Sequence, residues 1–306
     1  MHKNIKLLDE LPFFQQRTII SVAEITTGLS QQSFKVRCLN DQLFYAKYFD
    51  KYNTEYAQIE KEVLLNSASS PITTSLLYSD EHWLVTPFIE ANDLSKLNLP
   101  IKNKLNIALE LMLTFQKLII PSKKIKPISF IAHGDYYINA LALNKNQQQI
   151  LRSLLSDDDA IKAQQLTLCH GDFNFTNMLL NSPLTGIASD EIPILIDFEC
   201  CCYSEVEYDI AMMIAVNNLL NYLSVDTVIA QIKVYLAQRM VNISTKKVMR
   251  YLGKSLLLNA LWYICRFNRT NDNKWLILAK QQFQQADVLN NNKTSIVDRL
   301  KLHLPA

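Results

Sequence analysis

The chain has 306 residues, 49% of them hydrophobic and 20% charged, a composition that builds a packed interior and not a disordered tail. Lys and Arg number 31 against 29 Asp and Glu, a formal charge of +2, too even a balance for a nucleic-acid binder or an anionic-membrane binder. The longest apolar run, Ile210 to Val216, is far too short to span a bilayer. The opening MHKNIKLLDELPFF breaks its apolar positions with charges, unlike a secretory signal. Five glycines and no GxGxxG exclude a glycine-fingerprint dinucleotide fold. Six cysteines, three of them consecutive at 200–202 and none in a CxxC pair, read as reduced thiols of a cytoplasmic protein.

At roughly 150 residues per domain, two domains or lobes are expected. The first 90 residues read as strands with one helix among them. Residues 33–39 alternate, with Phe34, Val36 and Cys38 on one face and Lys35 and Arg37 on the other. Residues 43–49 alternate likewise, and Asn40-Asp41 joins the two runs as a hairpin. The stretch 54–67, charged and then apolar at Val63, Leu64 and Leu65, predicts a helix. A second hairpin is expected from 76–78 and 83–88 around Ser79-Asp80-Glu81, and a connector near 86–93. From Pro100 the spacing changes. Leu105, Ala108, Leu109, Met112 and Ile119 fall at helical intervals ended by Pro121. Helices are expected over 207–222, 226–240, 245–267 and 272–289. Between them Met178 to Leu180 and Ile192 to Ile196 are short apolar runs of β character. The fold class is therefore α+β, a small β-rich lobe over 1–90 followed by a larger, mostly helical lobe over 91–306.

The chemistry concentrates in His170-Gly171-Asp172-Phe173-Asn174-Phe175-Thr176-Asn177, followed 20 residues after Asn177 by Asp197-Phe198-Glu199 at the end of an apolar run. Phosphoryl transfer needs an oxygen base facing the acceptor hydroxyl and hard oxygen ligands for a metal that neutralises phosphates. An Asp and an Asn five apart on a loop, with a second Asp ending a strand, supply both. An upstream look-alike, His133-Gly134-Asp135-Tyr136-Tyr137-Ile138-Asn139, has a spacing of four and no apolar strand ending in Asp after it, so it is set aside. Gly28-Leu29-Ser30 precedes a strand as a phosphate-covering loop would, although an ordinary hairpin turn reads the same way. Lys47 stands mid-strand where a core face would want an apolar residue.

These motifs resemble the aminoglycoside phosphotransferase and choline kinase superfamily, relatives of the protein kinases, across most of the chain. The resemblance implies a bilobal protein-kinase-like fold and an ATP- and Mg2+-dependent kinase acting on a hydroxyl. In its terms Asp172 is the catalytic base, Asn177 and Asp197 are metal ligands, and Gly28 and Ser30 cover the phosphates. Lys47 contacts the phosphates and pairs with a helix glutamate. Glu62 leads for that place because Val63, Leu64 and Leu65 follow it, with Glu60 and Glu55 as rivals. Phe88-Ile89-Glu90 resembles the hinge for adenine, with Ala91 where the family often has glycine. His170 holds the catalytic loop and Asp209 braces it from a helix start.

Asp197-Phe198-Glu199 followed by Tyr203 and Tyr208-Asp209-Ile210 resembles the choline, ethanolamine and thiamine kinase branch, and the segment 260–272 and the opening loop resemble bacterial thiamine kinases in particular. The implied acceptor is a small cation, with Glu199 as its counter-charge and Trp262 and Tyr263 as a ring face. The same two aromatics also read as helix core. The catalytic loop departs from the family in carrying Asn174-Phe175-Thr176, and Cys200-Cys201-Cys202 replaces the usual residues after Glu199. The partners implied are a nucleotide and a small-molecule acceptor, with no nucleic acid and no membrane. The alternatives are a choline or ethanolamine kinase, or a non-catalytic nucleotide-binding module. The intact Lys47, Asp172, Asn177 and Asp197 argue against the module. The absence of an APE-like segment argues against a protein kinase.

Overall fold

A computed structural model describes residues 8–26, 31–156, 166–180, 192–290 and 294–300. The chain divides into two compact units that interleave along the sequence. The first comprises Met1–Ile107, Lys117–Ile125 and Phe175–Cys201; the second comprises Ala108–Gln116, Lys126–Asn174 and Cys202–Ala306.

The first unit is built on an antiparallel sheet of β1 (Ile19–Glu24), β2 (Gln32–Cys38), β3 (Leu43–Tyr48), β4 (Tyr78–Ser79) and β5 (Trp83–Pro87), in the order β1-β2-β3-β5-β4. Alternation along the strands sorts the side chains onto two faces. Phe34, Val36, Cys38, Phe44, Ala46, Trp83 and Val85 bury one face against Leu8, Leu11 and Phe14. The opposite face carries Lys47, which lies across from Ser33 and Leu84 in the neighbouring strands. There Leu84 and Phe49 pack with Ala57 of helix α1 (Thr54–Asn66). The charged residue thus falls on the helix-facing side of the sheet because its neighbours Ala46 and Tyr48 face the other way.

A smaller sheet in the same unit orders β6 (Asn92–Asp93), β8 (Met178–Leu180) and β9 (Ile194–Leu195) as β6-β8-β9. Because β8 and β9 are antiparallel, the residue before one and the residues after the other share an end. The Ile196 amide donates to the Asn177 carbonyl at 3.0 Å, which sets Asn177 and Asp197 at that end.

The second unit is mostly helical. Helix α2 (Ile101–Phe115) starts in the first unit's stretch of chain and ends in the second's. It stops short of Ile119, which is 88% exposed, so the helical spacing read through to that residue is coincidental. Pro121 disfavours helical backbone in the residue before it. Helices α3 (Phe130–Ala140) and α4 (Lys145–Leu155) follow, with a capping box at Asn144 and Gln147 opening the second. A two-stranded pair, β7 (Thr167–Cys169) and β10 (Cys202–Ser204), sets Cys169 opposite Cys202. Then come α5 (Val206–Val216), α6 (Val225–Ala237), the 26-residue α7 (Thr245–Thr270), α8 (Lys274–Leu289) and α9 (Ile296–Leu300). The helix expected over 207–222 ends at Val216, because Asn218 turns left-handed with φ 50° and a short 3-10 turn takes over. All six cysteines are free thiols. Among the described residues no helix is long and apolar enough to cross a membrane.

Candidate active site

Lys47 is the centre of the first unit's polar chemistry. Its Nζ lies 2.7 Å from Glu60 Oε2, 2.5 Å from Asp197 Oδ1 and 2.9 Å from Glu199 Oε2. The lysine, Glu60 and Glu199 are buried, while Asp197 keeps a third of its side chain exposed. Burial works against the ammonium, but Asp197, Glu199 and Glu60 outweigh it and hold the lysine pKa well above its ordinary value. Burial also raises Glu60, against the pull of Lys47. The same burial, with Asp197 and Glu60 adding and Lys47 opposing, pushes Glu199 up to about 7.

The lysine's helix partner is Glu60, not Glu62. On α1 the residues turned inward are Ala57, Glu60, Val63 and Leu64. Glu62, two residues on, is rotated about 200° from Glu60 and stays half-buried on another face. Glu60 also takes a hydrogen bond from the Phe198 backbone, so one carboxylate links strand β3, helix α1 and the turn after Asp197. Glu199 is a second correction. It was expected to face a cationic acceptor, but it is buried and ion-paired with Lys47, because the 3-10 turn Phe198–Cys200 packs against α1. Tyr45, which sequence reasoning missed, shares the lysine's face and bonds Ser33 Oγ at 2.7 Å.

Asp197 sits at φ 69°, a left-handed backbone that Asp tolerates better than most residues and that ends the strand sharply. Asn177 is buried in the 3-10 turn that opens β8. The carboxylates of Glu60, Asp197 and Glu199 offer ligand oxygens within 4.8 Å of one another. Three carboxylates facing one ammonium leave negative charge uncompensated, and oxygen donors suit a hard divalent ion.

At the strand exit after β5, Phe88 donates its amide to the Leu43 carbonyl, and Lys35 reaches over this segment. Its Nζ stands 4.3 Å from the Phe88 ring centroid and 3.0 Å from Glu90 Oε1. Gly28 and Ser30 lie outside the described residues.

The second unit carries the HGD loop. Fully buried Asp209, in the first turn of α5, accepts the His170 amide on Oδ2 and the Gly171 amide on Oδ1, both at 3.0 Å. Burial pushes its pKa up to about 6 against these bonds and those of Gln116 and Cys169. Gly171 at φ 77° makes the turn that brings both amides to one carboxylate. His170 is buried, its ring edge-on to Phe115 at 5.7 Å and to Phe173 at 5.6 Å, and its Nδ1 accepts the Asp172 amide at 3.3 Å. Asn217 Nδ2 fastens the far side of the loop by donating to the Phe173 carbonyl at 3.0 Å. Asp172 itself is half-buried.

Trp262, on α7, meets Tyr263 edge-on at 5.3 Å and Trp275 at 5.8 Å, and the Arg266 guanidinium lies 5.9 Å from its ring centroid. Its ring therefore already has a cation for a neighbour. The upstream look-alike is an ordinary stretch of α3. Asp135 pairs with Arg152 at 2.6 Å, and the spot a side chain would take at Gly134 is filled by Leu155.

The model of the Phosphotransferase enzyme family matches residues 132–239, a stretch that spans both the HGD loop and Asp197. No curated protein matches the chain by sequence. A Streptococcus pneumoniae choline kinase structure superposes with a TM-score of 0.69 at 16% identity, over 95% of this chain and 100% of that one. A Plasmodium vivax ethanolamine kinase gives 0.67 at 12%, over 89% and 84%. A Streptomyces rimosus aminoglycoside phosphotransferase, solved with ADP and streptomycin, gives 0.61 at 13%, over 82% and 97%. At these identities the likeness is one of fold. The neighbours share the protein-kinase-like fold, and within it residues 132–239 of this chain match the model of the Phosphotransferase enzyme family.

Proposed function

We propose that this phosphotransferase is a Mg2+-dependent kinase that moves the terminal phosphoryl group of ATP to the hydroxyl of a small molecule, thiamine being the first candidate. The observation that carries the reading is the buried Lys47 held among Glu60, Asp197 and Glu199. A lysine sealed in by three carboxylates is costly to maintain for packing alone, and its geometry suits an ammonium that orients phosphate oxygens. Asp197, with Glu60 and Glu199 close by and Asn177 at the same end of the small sheet, would hold the divalent ion. Bound there, the ion would neutralise phosphate charge.

In this reading Lys47 orients the nucleotide's phosphates, and Glu60 keeps the lysine from swinging. Asp172 accepts the proton of the acceptor hydroxyl, and Asp209, through the His170 and Gly171 amides, keeps the loop in place. Positioning and charge compensation supply most of the rate. The Phe88 to Glu90 segment receives the base.

The thiamine reading rests on the segment 260–272 and the opening loop, while the Asp-Phe-Glu run fits thiamine, choline and ethanolamine kinases alike. A choline or ethanolamine acceptor is the second reading, supported by the folds named above. The test is ADP release by the full chain with ATP and Mg2+, in turn with thiamine, choline, ethanolamine, kanamycin and methylthioribose. Release with thiamine and none with choline supports the first reading, and the reverse supports the second. No release with any of them, while ATP still raises the melting temperature, contradicts catalysis and favours a binding module.

A further inference from the structure

Helix α5 ends on Asn217 and Asn218, and the two side chains reach different parts of the second unit. Asn217 Nδ2 donates to the Phe173 carbonyl at 3.0 Å and to the Met213 carbonyl at 2.9 Å. A carboxamide nitrogen has two protons to give, and both partners are acceptors, so the bonds themselves fix which way the amide faces. One bond ties the amide to the last turn of α5, the other to the residue after Asp172. Asn218, left-handed at φ 50°, offers Oδ1 to Gln282 Nε2 of α8 at 2.8 Å, and the same nitrogen stands 3.4 Å from the Ala215 carbonyl. Gln282 is fully buried, and its Oε1 finds no hydrogen-bond partner among the described residues. An apolar side chain would fill that space without stranding a carbonyl, so packing alone does not account for a glutamine there. What the glutamine does is hold the turn that presents Asn217. On the near side of Asp172, Asp209 holds the His170 and Gly171 amides. On the far side the Asn174 amide donates to the Asp172 carbonyl at 2.8 Å, a bond inside the loop, and Asn217 adds a tie from outside it.

We propose that Asn217 is a positioning residue for Asp172, and that Gln282, through Asn218, sets where Asn217 stands. The inference rests on the phosphotransferase reading, in which Asp172 faces the acceptor hydroxyl. A peptide is planar, so a carbonyl held from outside the loop stops rotation at Phe173 and keeps the chain beyond Asp172 from swinging. With Asp209 gripping the amides before the base and Asn217 gripping the carbonyl after it, the loop is pinned on both sides of the carboxylate. Loss of the Asn217 pin lets the carboxylate drift and slows the chemical step. Nucleotide binding is spared, because Lys47 and the Phe88 to Glu90 segment belong to the other unit.

The experiment measures kcat, and KM for ATP, by ADP release with whichever acceptor of the panel turns over. The proteins are the wild type, Asn217→Ala, Gln282→Met and Gln285→Met, then Asp172→Asn alone and combined with Asn217→Ala or Gln282→Met, each beside its melting temperature. Gln282→Met keeps the length and volume of the side chain but has no donor. Gln285, three residues farther along α8, makes the same kind of bond to Asn221 Oδ1 at 2.8 Å, so Gln285→Met is the control for helix docking. The expected result is a kcat lowered about 10–100-fold in Asn217→Ala and on the order of threefold in Gln282→Met, with KM for ATP within about twofold of wild type. Gln285→Met should match wild type. In the Asp172→Asn background either change should lower the residual rate by less than about twofold, since no base is left to position. An unchanged kcat in Asn217→Ala overturns the inference and leaves the kinase reading standing. So does an undiminished effect in the Asp172→Asn background, or a loss in Gln285→Met equal to that in Gln282→Met. If Asn217→Ala does not fold, Gln282→Met with its Asp172→Asn partner makes the same comparison. No ADP from the wild type with any acceptor removes the phosphotransferase reading itself, and the inference with it.

Discussion

Replacing Glu60 by Gln separates what the lysine cluster does for stability from what it does for turnover. The change keeps the shape and an oxygen acceptor but deletes the charge 2.7 Å from Lys47 Nζ. Removing one partner of a buried ion pair ordinarily costs about 3–5 kcal/mol, because the other charge is stranded. Here it is not stranded, since Asp197 at 2.5 Å and Glu199 at 2.9 Å remain. Glu60 itself has a raised pKa, because burial and the Asp197 charge penalise its ionised form. Such a group contributes stability below its unfolded pKa and loses it as pH rises through the folded value. At neutral pH the glutamine therefore removes a charge the fold holds reluctantly. We expect the unfolding free energy, from urea titration in EDTA, to stay within about 1 kcal/mol of wild type.

Turnover should behave differently. Without Glu60 the ammonium loses its tether to α1 and is drawn toward Asp197 and Glu199 alone. A displacement on the order of 1 Å in a positioning group lowers the rate about 10²-fold. The assay is steady-state ADP release with whichever member of the acceptor panel responds. Glu62→Gln, one face away on the same helix, serves as the control and should match wild type in both measurements. The reasoning is refuted if Glu62→Gln loses as much activity as Glu60→Gln, or if Glu60→Gln unfolds more than about 3 kcal/mol more easily.

Two further outcomes are expected. Asp172→Asn should lower turnover by about 10²–10⁴-fold with ATP binding retained, whereas Asp135→Asn, which disturbs only the Arg152 pair, should keep wild-type turnover; paired kinetics on the two variants decide this. Glu199, raised to about 7, is more stably folded in its protonated form, so the stability it contributes is complete below about pH 4.5 and is lost as pH climbs through 7. Glu199→Gln, which mimics the protonated group, should therefore gain on wild type by on the order of 3–6 °C in melting temperature between about pH 5 and pH 8 with metal chelated, and a constant difference would contradict the shift.

Much of the first unit was legible because it is written in local patterns. The alternation of Phe34, Val36 and Cys38, and of the run through Lys47, predicts β2 and β3 within a residue of their observed ends. The approximate place of α1 follows from its composition in the same way. Its rotation does not, since three apolar residues after Glu62 say nothing about which face meets the sheet. The inward set Ala57, Glu60 and Leu64 was the available signal, at helical spacing with Glu60 in the middle. Helices α3 and α4 are not predicted from the sequence, although Asn144 and Gln147 form a capping box that marks the start of the second. The Gln282–Asn218 pair was beyond sequence reasoning altogether. It joins two segments far apart in the chain through a left-handed asparagine that no pattern announces.

The charge balance of the lysine cluster connects these observations. One ammonium faces three carboxylates, so the fully ionised set carries two negative charges in excess. A buried site relieves such an excess by taking up a proton or a cation. The proton route is visible in Glu199, which burial and its two acidic neighbours bring to about 7, close to the pH at which the protein would work. A divalent ion would relieve the same two charges and return Glu199 toward its ionised form. Protons and metal must then compete, and apparent metal affinity has to weaken as pH falls below about 7. Glu60 lies farther inside and Asp197 is the most open of the three, so Asp197 is where an incoming ion would first exchange solvent for protein oxygen. Under the proposed function, that order would make Lys47 a placeholder as well as a phosphate ligand: its ammonium would hold the acids together until a cation and a phosphate share the charge.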